Sequence, residues 1–432
     1  KDQHPVDWFV NRRLKENGLE PASSASGGEL FRRLSFGLTG LPPDPAEATK
    51  FERQFEKSSD VLLTYLEKLM TSPHYGEHFA RHWLDVARYA DSAGFANDYS
   101  RPNAWRYRDY VVRSFNDDKP FDQFVKEQVA GDEMDPQNPE NLVATGFLRM
   151  GPWEQTGMSV FKETRQLWLD DVTDSVGQAF LAHAMQCAKC HDHKFDPVPT
   201  RDYYAMMAVF STTQFADRKA SFLSTESKRG FDSFTEIVQS KISSYQQEDV
   251  RLKEKMNRLK KEEMGSAKVG DNGLDPGDEA SQSRIFKNLI RHRIELDRVE
   301  PLTHAVYTGK TITRRNVQGR LDMPENPWQK GYFDPDVIYT AGDVYSEGDA
   351  VAPGGLSAAE SLGNMKVRPF PQGKGKRRLA LAEWIVDEKN PLTARVLVNR
   401  VWSWHFGRGI AGNPNNFGGT GELPTHPALL DY

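Results

Sequence analysis

Cysteine is almost absent from this chain: two residues in 432, at positions 187 and 190. That excludes a fold stapled by a framework of disulfides, and a chain of this length buries enough apolar surface not to need one. No run of about 18 apolar residues occurs, so there is no candidate membrane-spanning helix. An excess of positive charge is missing too. The 56 Lys and Arg face 61 Asp and Glu, a net charge of −5, and no basic field recommends a nucleic-acid partner. No signal peptide is visible, and the chain opens on Lys1 rather than Met, as it would if an export signal had been removed. The length fits two or three domains.

The two cysteines sit in one pentapeptide, Cys187-Ala-Lys-Cys-His191. Cys-x-x-Cys-His is the attachment motif of a c-type haem: two thiols add across the vinyl groups and the histidine ligates the iron. Attachment normally takes place on the exported side of a membrane, which predicts a periplasmic or otherwise exported protein. Three other readings use the same residues. A thioredoxin-like pair normally opens a helix after a strand, whereas a long helical stretch, Leu167–Met185, precedes this one. A zinc site on Cys187, Cys190 and His191 or His193 lacks a second cysteine pair, although Asp196 extends the run. A plain disulfide is the third. The chain's 9 Trp, 14 Tyr and 24 Phe suit a haem pocket or a sugar-stacking face as well as an ordinary core.

Helical spacing runs through most of the chain. Helices are expected at 4–19, Leu30–Leu38, from Pro45, at 75–93, 103–114, 120–131, 139–149 and 161–185, with a small linker at Ser23–Gly28. His74, His78 and His82 share a face at four-residue spacing, a metal trio or simply a polar face. The loop Asp91, Asn97, Asp98, Tyr99, Arg101 and the run Trp105, Arg106, Tyr107, Arg108, Asp109 could grip propionates or a sugar, or form a buried ion-pair network. Residues before proline avoid the helical region, so 195–199 reads as extended, with Thr200 as the cap of the next helix. Residues 233–300 read as a charged helical hairpin broken at Gly270–Gly277. Short strands are expected at 305–308, 311–313 and 337–340. Helices return from Arg377 and at 393–406, and residues 430–432 look like the start of another.

Several long runs then carry a resemblance. They are Phe31-Arg-Arg-Leu-Ser-Phe-Gly-Leu-Thr-Gly-Leu-Pro-Pro, Ser72-Pro-His-Tyr-Gly-Glu-His-Phe-Ala-Arg-His-Trp-Leu-Asp, Trp105-Arg-Tyr-Arg-Asp, Cys187-Ala-Lys-Cys-His-Asp-His-Lys-Phe-Asp-Pro, Asn390-Pro-Leu-Thr-Ala-Arg and His405-Phe-Gly-Arg-Gly. The chain resembles the planctomycete-type cytochrome c-like proteins over roughly residues 4–215 and 335–432. These join a cytochrome-like domain to a second planctomycete-specific domain, both of unknown function. Two departures stand out: the family usually has arginine at the position of His78, and residues 233–300 carry none of its motifs.

The residue pattern and the resemblance together give a mainly α fold: a helical haem-bearing domain at 1–215, a charged hairpin or spacer at 216–300 read from composition alone, and a smaller α+β domain at 301–432 that the resemblance implies continues past Tyr432. The resemblance implies one covalent haem c on Cys187 and Cys190, with His191 as proximal ligand. His193 and Asp196 would orient His191 through its free ring nitrogen or lock the turn. His82 is the preferred distal group, ahead of His74, His183, His405, Met206 and Met207. His82, Arg106 and His405 are the candidate catalytic residues, and Arg395 and Asn399 could help hold a substrate. Such proteins often occur beside polysaccharide-degrading enzymes, so the function implied is an exported haem oxidoreductase acting on carbohydrate, with a redox partner protein. The alternatives are a non-catalytic electron carrier and a carbohydrate-binding or structural protein with a zinc site or disulfide.

Overall fold

The computed structural model describes residues 4–95, 98–154, 160–263, 276–314, 319–365, 369–373 and 375–432. Asn97 and residues 270–275 of the expected hairpin break lie outside them. The chain begins with five helices: α1 (Pro5–Glu16), α2 (Gly27–Thr39), α3 (Pro45–Phe55), α4 (Val61–Met70) and α5 (Pro73–Val86). Their starts follow from side chains that accept the free N–H groups of a first turn. Ser26 and Glu29 form a reciprocal capping box. Asp44 caps α3, and Ser72 caps α5, each just before a proline that has no N–H to leave unpaired. Phe31, Phe51 and Tyr65 close a small core among α2, α3 and α4.

The principal core begins at α5. It takes in α6 (Ala104–Asn116), α7 (Phe121–Met134), α8 (Pro139–Ala144), a 3-10 turn at Thr145–Arg149, α9 (Phe161–Val176) and α10 (Thr200–Phe210). Trp83, Tyr107, Tyr110, Phe180 and Tyr203 are almost wholly buried in it, each contributing about 1.5–3 kcal/mol of transfer free energy. β1 (Thr213–Lys219) then pairs antiparallel with β2 (Leu302–Thr308). Between them run α11 (Phe231–Glu263) and α12 (Pro276–Glu295), which pack on each other as the expected hairpin. A second small sheet joins β3 (Val337–Tyr339) to β4 (Glu347–Ala350). Helices α13 (Ser357–Gly363), α14 (Arg377–Ile385), α15 (Thr393–Phe406) and α16 (Pro427–Asp431) complete the chain. The fold is mainly helical, with two small antiparallel sheets among the described residues.

The expected boundaries at 215 and 300 do not separate independent cores. β1 straddles the first, and its partner strand lies beyond the second. Leu381, Trp384 and Ile385 of α14 share the principal core with α5–α10. Buried contacts of two arginines cross the same line: Arg378 forks onto Asp132 of α7 at 2.6 and 2.9 Å, and Arg377 donates to the Ala208 carbonyl of α10 at 2.8 Å. Two further expectations change. Thr311–Thr313 makes a single bridge to Tyr332 instead of a strand. Helix α9 stops at Val176 instead of reaching Met185. The chain passes through a π-turn at Gly177–Leu181 and reverses at Ala182, whose φ is +50°. A Cβ on Gly177 would come within 2.8 Å of the His183 carbonyl oxygen, so the return needs glycine there.

Candidate functional site

The reversal after α9 presents the cysteine motif. Asp174, in the last turn of α9, accepts the N–H groups of Met185 and Gln186 at 2.6 and 3.2 Å, which starts a 3-10 turn at Gln186–Lys189. Ala188 points inward and is fully buried, while Cys187, Cys190 and His191 face solvent. Lys189 is tied back to Asp170 of α9 at 2.7 Å, and its carbonyl accepts from Tyr204 of α10 at 3.0 Å. The second thiol lies against Gly342, where a Cβ would approach Sγ to 2.7 Å. Both cysteines are unpaired thiols.

The imidazole of His191 has a defined orientation. Its Nδ1 lies 2.7 Å from the Asp192 carbonyl oxygen. A carbonyl only accepts, so Nδ1 carries a proton, and in the neutral ring the lone pair lies on Nε2. His193 and Asp196 therefore do not orient His191 directly, a correction to that part of the expectation. They lock the turn instead: His193 Nδ1 sits 3.0 Å from the Asp196 N–H and 3.2 Å from its carboxylate. Thr200 does not cap α10 with its own side chain. Its N–H donates to Asp192 at 2.8 Å, so Asp192 performs that task.

Two exposed thiols three residues apart, followed by an imidazole with a free Nε2, fit covalent haem attachment and axial ligation. No group of three His, Cys, Asp or Glu side chains is arranged to hold a metal among the described residues, so Cys187, Cys190, His191 and His193 are not gathered as a zinc site in this arrangement.

The remaining candidates fall elsewhere. His74 turns away from the expected trio and pairs with Glu77 at 2.8 Å. His78 and His82 instead join two residues from α15: His82 stacks on Trp404 at 5.2 Å, and His405 packs on Phe79 at 5.6 Å. The end of α2 covers the cluster, and Gly40, at φ +70°, leaves no room for a Cβ beside His78 Nδ1. Burial lowers all three imidazoles, and for His78 the charges of His82, Arg81 and His405 add to push it down to about 4. His82 Nε2 is buried without a hydrogen-bond partner among the described residues. No ring contact joins His82 to His191 among them. Met206 and Met207 are core residues, and Met207 Sδ accepts from Gln166. His183 bonds the Leu181 carbonyl at 2.8 Å.

Arg106 is not free to grip a substrate. It is fully buried, forks onto Glu226 at 2.7 Å twice, and spends its other donors on the carbonyls of Ala220, Ser221 and Leu302. Arg101 is likewise buried on the carbonyls of Met150 and Gly151, and Asn399 is used at both ends by the backbone of Ala411. Arg395 pairs with Asp431 at 2.9 Å. For the Arg101–Asp109 region, the ion-pair network is what the geometry supports. The sequence reading missed a cleft of about 670 Å³ lined by Phe161, Tyr332, Phe333, Tyr339, Lys162 and Glu347, among others. It is linked to the motif through Tyr339: the Tyr204 hydroxyl that bonds the Lys189 carbonyl also lies 3.3 Å from the Tyr339 carbonyl. The adjacent aromatics Tyr332 and Phe333 were its signal in the sequence.

No curated protein and no solved structure matches the chain. Residues 5–215 match the family model PSCyt2, described as a protein of unknown function (DUF1549). Residues 377–432 match PSD1, described as a protein of unknown function (DUF1553), and the two are planctomycete-type domains.

Proposed function

We propose that this chain is an exported c-type haem oxidoreductase acting on a carbohydrate. The observation that carries the reading is the presentation of Cys187, Cys190 and His191: two unpaired, exposed thiols and an imidazole whose Nδ1 is spent on a backbone carbonyl. When bound, the haem supplies a one-electron couple. The chain's own part is to offer the thiols, fix the imidazole tautomer through Asp192, and hold the turn through Asp170, Asp174 and Tyr204. The cleft linked to the motif through Tyr339 and Tyr204 supports the choice of substrate. Its size is that of a small-ligand site, and aromatic rings mixed with Lys162 and Glu347 suit the apolar faces and hydroxyls of sugars.

Production in a periplasm equipped for haem attachment, followed by intact mass measurement, tests the reading. The expected result is a mass increase of one haem, lost in Cys187→Ala/Cys190→Ala and retained, with an altered spectrum, in His191→Ala. An unmodified mass under those conditions removes the haem reading. An attached haem whose redox state no oligosaccharide alters leaves an electron carrier.

A further inference from the structure

The loop that carries the cysteine motif is gripped at both ends by one short segment far away in sequence. At its start, the Ala182 carbonyl accepts the Phe417 N–H at 2.8 Å. At its end, Asp196 Oδ1 accepts the Gly419 N–H at 2.5 Å. Gly418 lies so close over the Asp196 carboxylate that any Cβ would overlap it. Arg400 of α15 ties the same segment to the turn before the loop: it donates to the carbonyls of Gln178 and Ala179 and to Asn415 Oδ1 at 2.9 Å. Burial pushes its guanidinium down to about 10, and its two terminal nitrogens donate to carbonyl and amide oxygens here.

The two halves of the loop are held differently. Gln186–Lys189 is fixed from α9 and α10 through Asp174, Asp170 and Tyr204. From His191 onward the loop has Asp192 on the Thr200 N–H and the His193–Asp196 lock, and Asp196 in turn leans on Gly418 and Gly419. We infer that Asn415–Gly419 is a positioning clamp for the Cys187–His191 loop, with Asp196, Gly418 and Gly419 as its positioning residues. The residues that match PSD1 thereby complete a site whose thiols and imidazole lie in the PSCyt2 match. Two thiols and one imidazole nitrogen would have to meet a single planar group, and a loop held in place favours that meeting. The consequence for attachment rests on the haem reading; the clamp itself does not.

The experiment compares Gly418→Ala, Asp196→Asn and the control Gly373→Ala, whose Cβ meets open space. Each is made with and without haem-attachment machinery. In cofactor-free protein, amide hydrogen exchange of residues 183–199 should quicken about tenfold, the size of losing one hydrogen bond to a charged acceptor. Peptides from α6 and α7 should be unchanged. With the machinery, the fraction of chains carrying haem should fall several-fold in both variants and not in the control. Exchange that is unchanged, or that quickens equally throughout the molecule, overturns the clamp. Asp196→Asn keeps the shape of the side chain, so it answers the question if Gly418→Ala does not fold. Local quickening in a protein whose parent never takes up haem sustains the clamp and removes the haem reading.

Discussion

Asp170 is where α9 meets the cysteine motif, and its removal has a calculable cost. Oδ1 accepts from Gln166 Nε2 at 2.7 Å and from the Tyr203 hydroxyl at 2.5 Å, while Oδ2 accepts from Lys189 at 2.7 Å. Burial and the charge of Asp170 push the Tyr203 phenol far above its ordinary value, so it stays a donor. Asp170→Asn keeps the shape but converts one oxygen to NH₂, which must then face either the Lys189 ammonium, donor against donor, or the Tyr203–Gln166 pair, which would have to reorient to accept it. Hydrogen bonds to a charged group contribute about 1.5–3 kcal/mol each. The ammonium of Lys189 is partly solvated, its side chain 24% exposed, which discounts that share. The expected loss is about 3 kcal/mol, a large part of the 5–15 kcal/mol that holds an ordinary domain together. Urea unfolding followed by circular dichroism measures it. A double-mutant cycle with Tyr203→Phe should show a coupling of about 1.5 kcal/mol. A loss below about 0.5 kcal/mol, the size of an ordinary surface change, or strictly additive effects would refute this account of how α9 holds the motif.

Three other outcomes follow from the same geometry. Asp217 is buried, which by itself would raise its carboxyl, yet the hydrogen bond and charge of His304, the charge of Arg149 and the Leu321 N–H hold it well below the ordinary carboxylate value. Its contribution is therefore complete above about pH 4 and lost as pH falls further; the stability gap between the parent and Asp217→Asn should narrow from pH 5 towards pH 2.5, and a constant gap would contradict the assignment. Arg106→Met should cost about 3–5 kcal/mol because it strands the buried Glu226, and Arg106→Met/Glu226→Met should recover part of that; unchanged thermal unfolding in the single variant would return Arg106 to the list of substrate-binding residues. Gly76→Ala would push a methyl into the Val112 carbonyl and Asn116 at the α5–α6 crossing, and calorimetry should show a loss of about 1–3 kcal/mol.

The helical elements were legible because their signals are local. Pro45 and Pro73 start helices after good capping residues, and Gly407 ends α15 in a left-handed conformation. The motif was legible for the same reason, since Cys187, Cys190 and His191 lie within five residues. What the sequence hid is what the fold brings together over long separations. The strand Thr213–Lys219 shows little alternation of its own and exists because Leu302–Thr308 pairs with it. The histidine spacing at 74, 78 and 82 suggested one face, but the cluster replaces His74 with His405 from α15. Helical periodicity carried α9 on to Met185 because a π-turn preserves the apolar pattern while it ends the helix. Arg106 and Asn399 looked available because their partners, Glu226 and Ala411, are visible only in three dimensions.

The central claim is a covalent haem on Cys187 and Cys190, ligated by His191. Its most direct test is a reduced-minus-oxidised absorption spectrum with pyridine haemochrome analysis, on protein made in a periplasm with haem-attachment machinery. One c-type haem per chain, absent from Cys187→Ala/Cys190→Ala, is the result expected. A protein that folds under those conditions and shows no Soret band would contradict it.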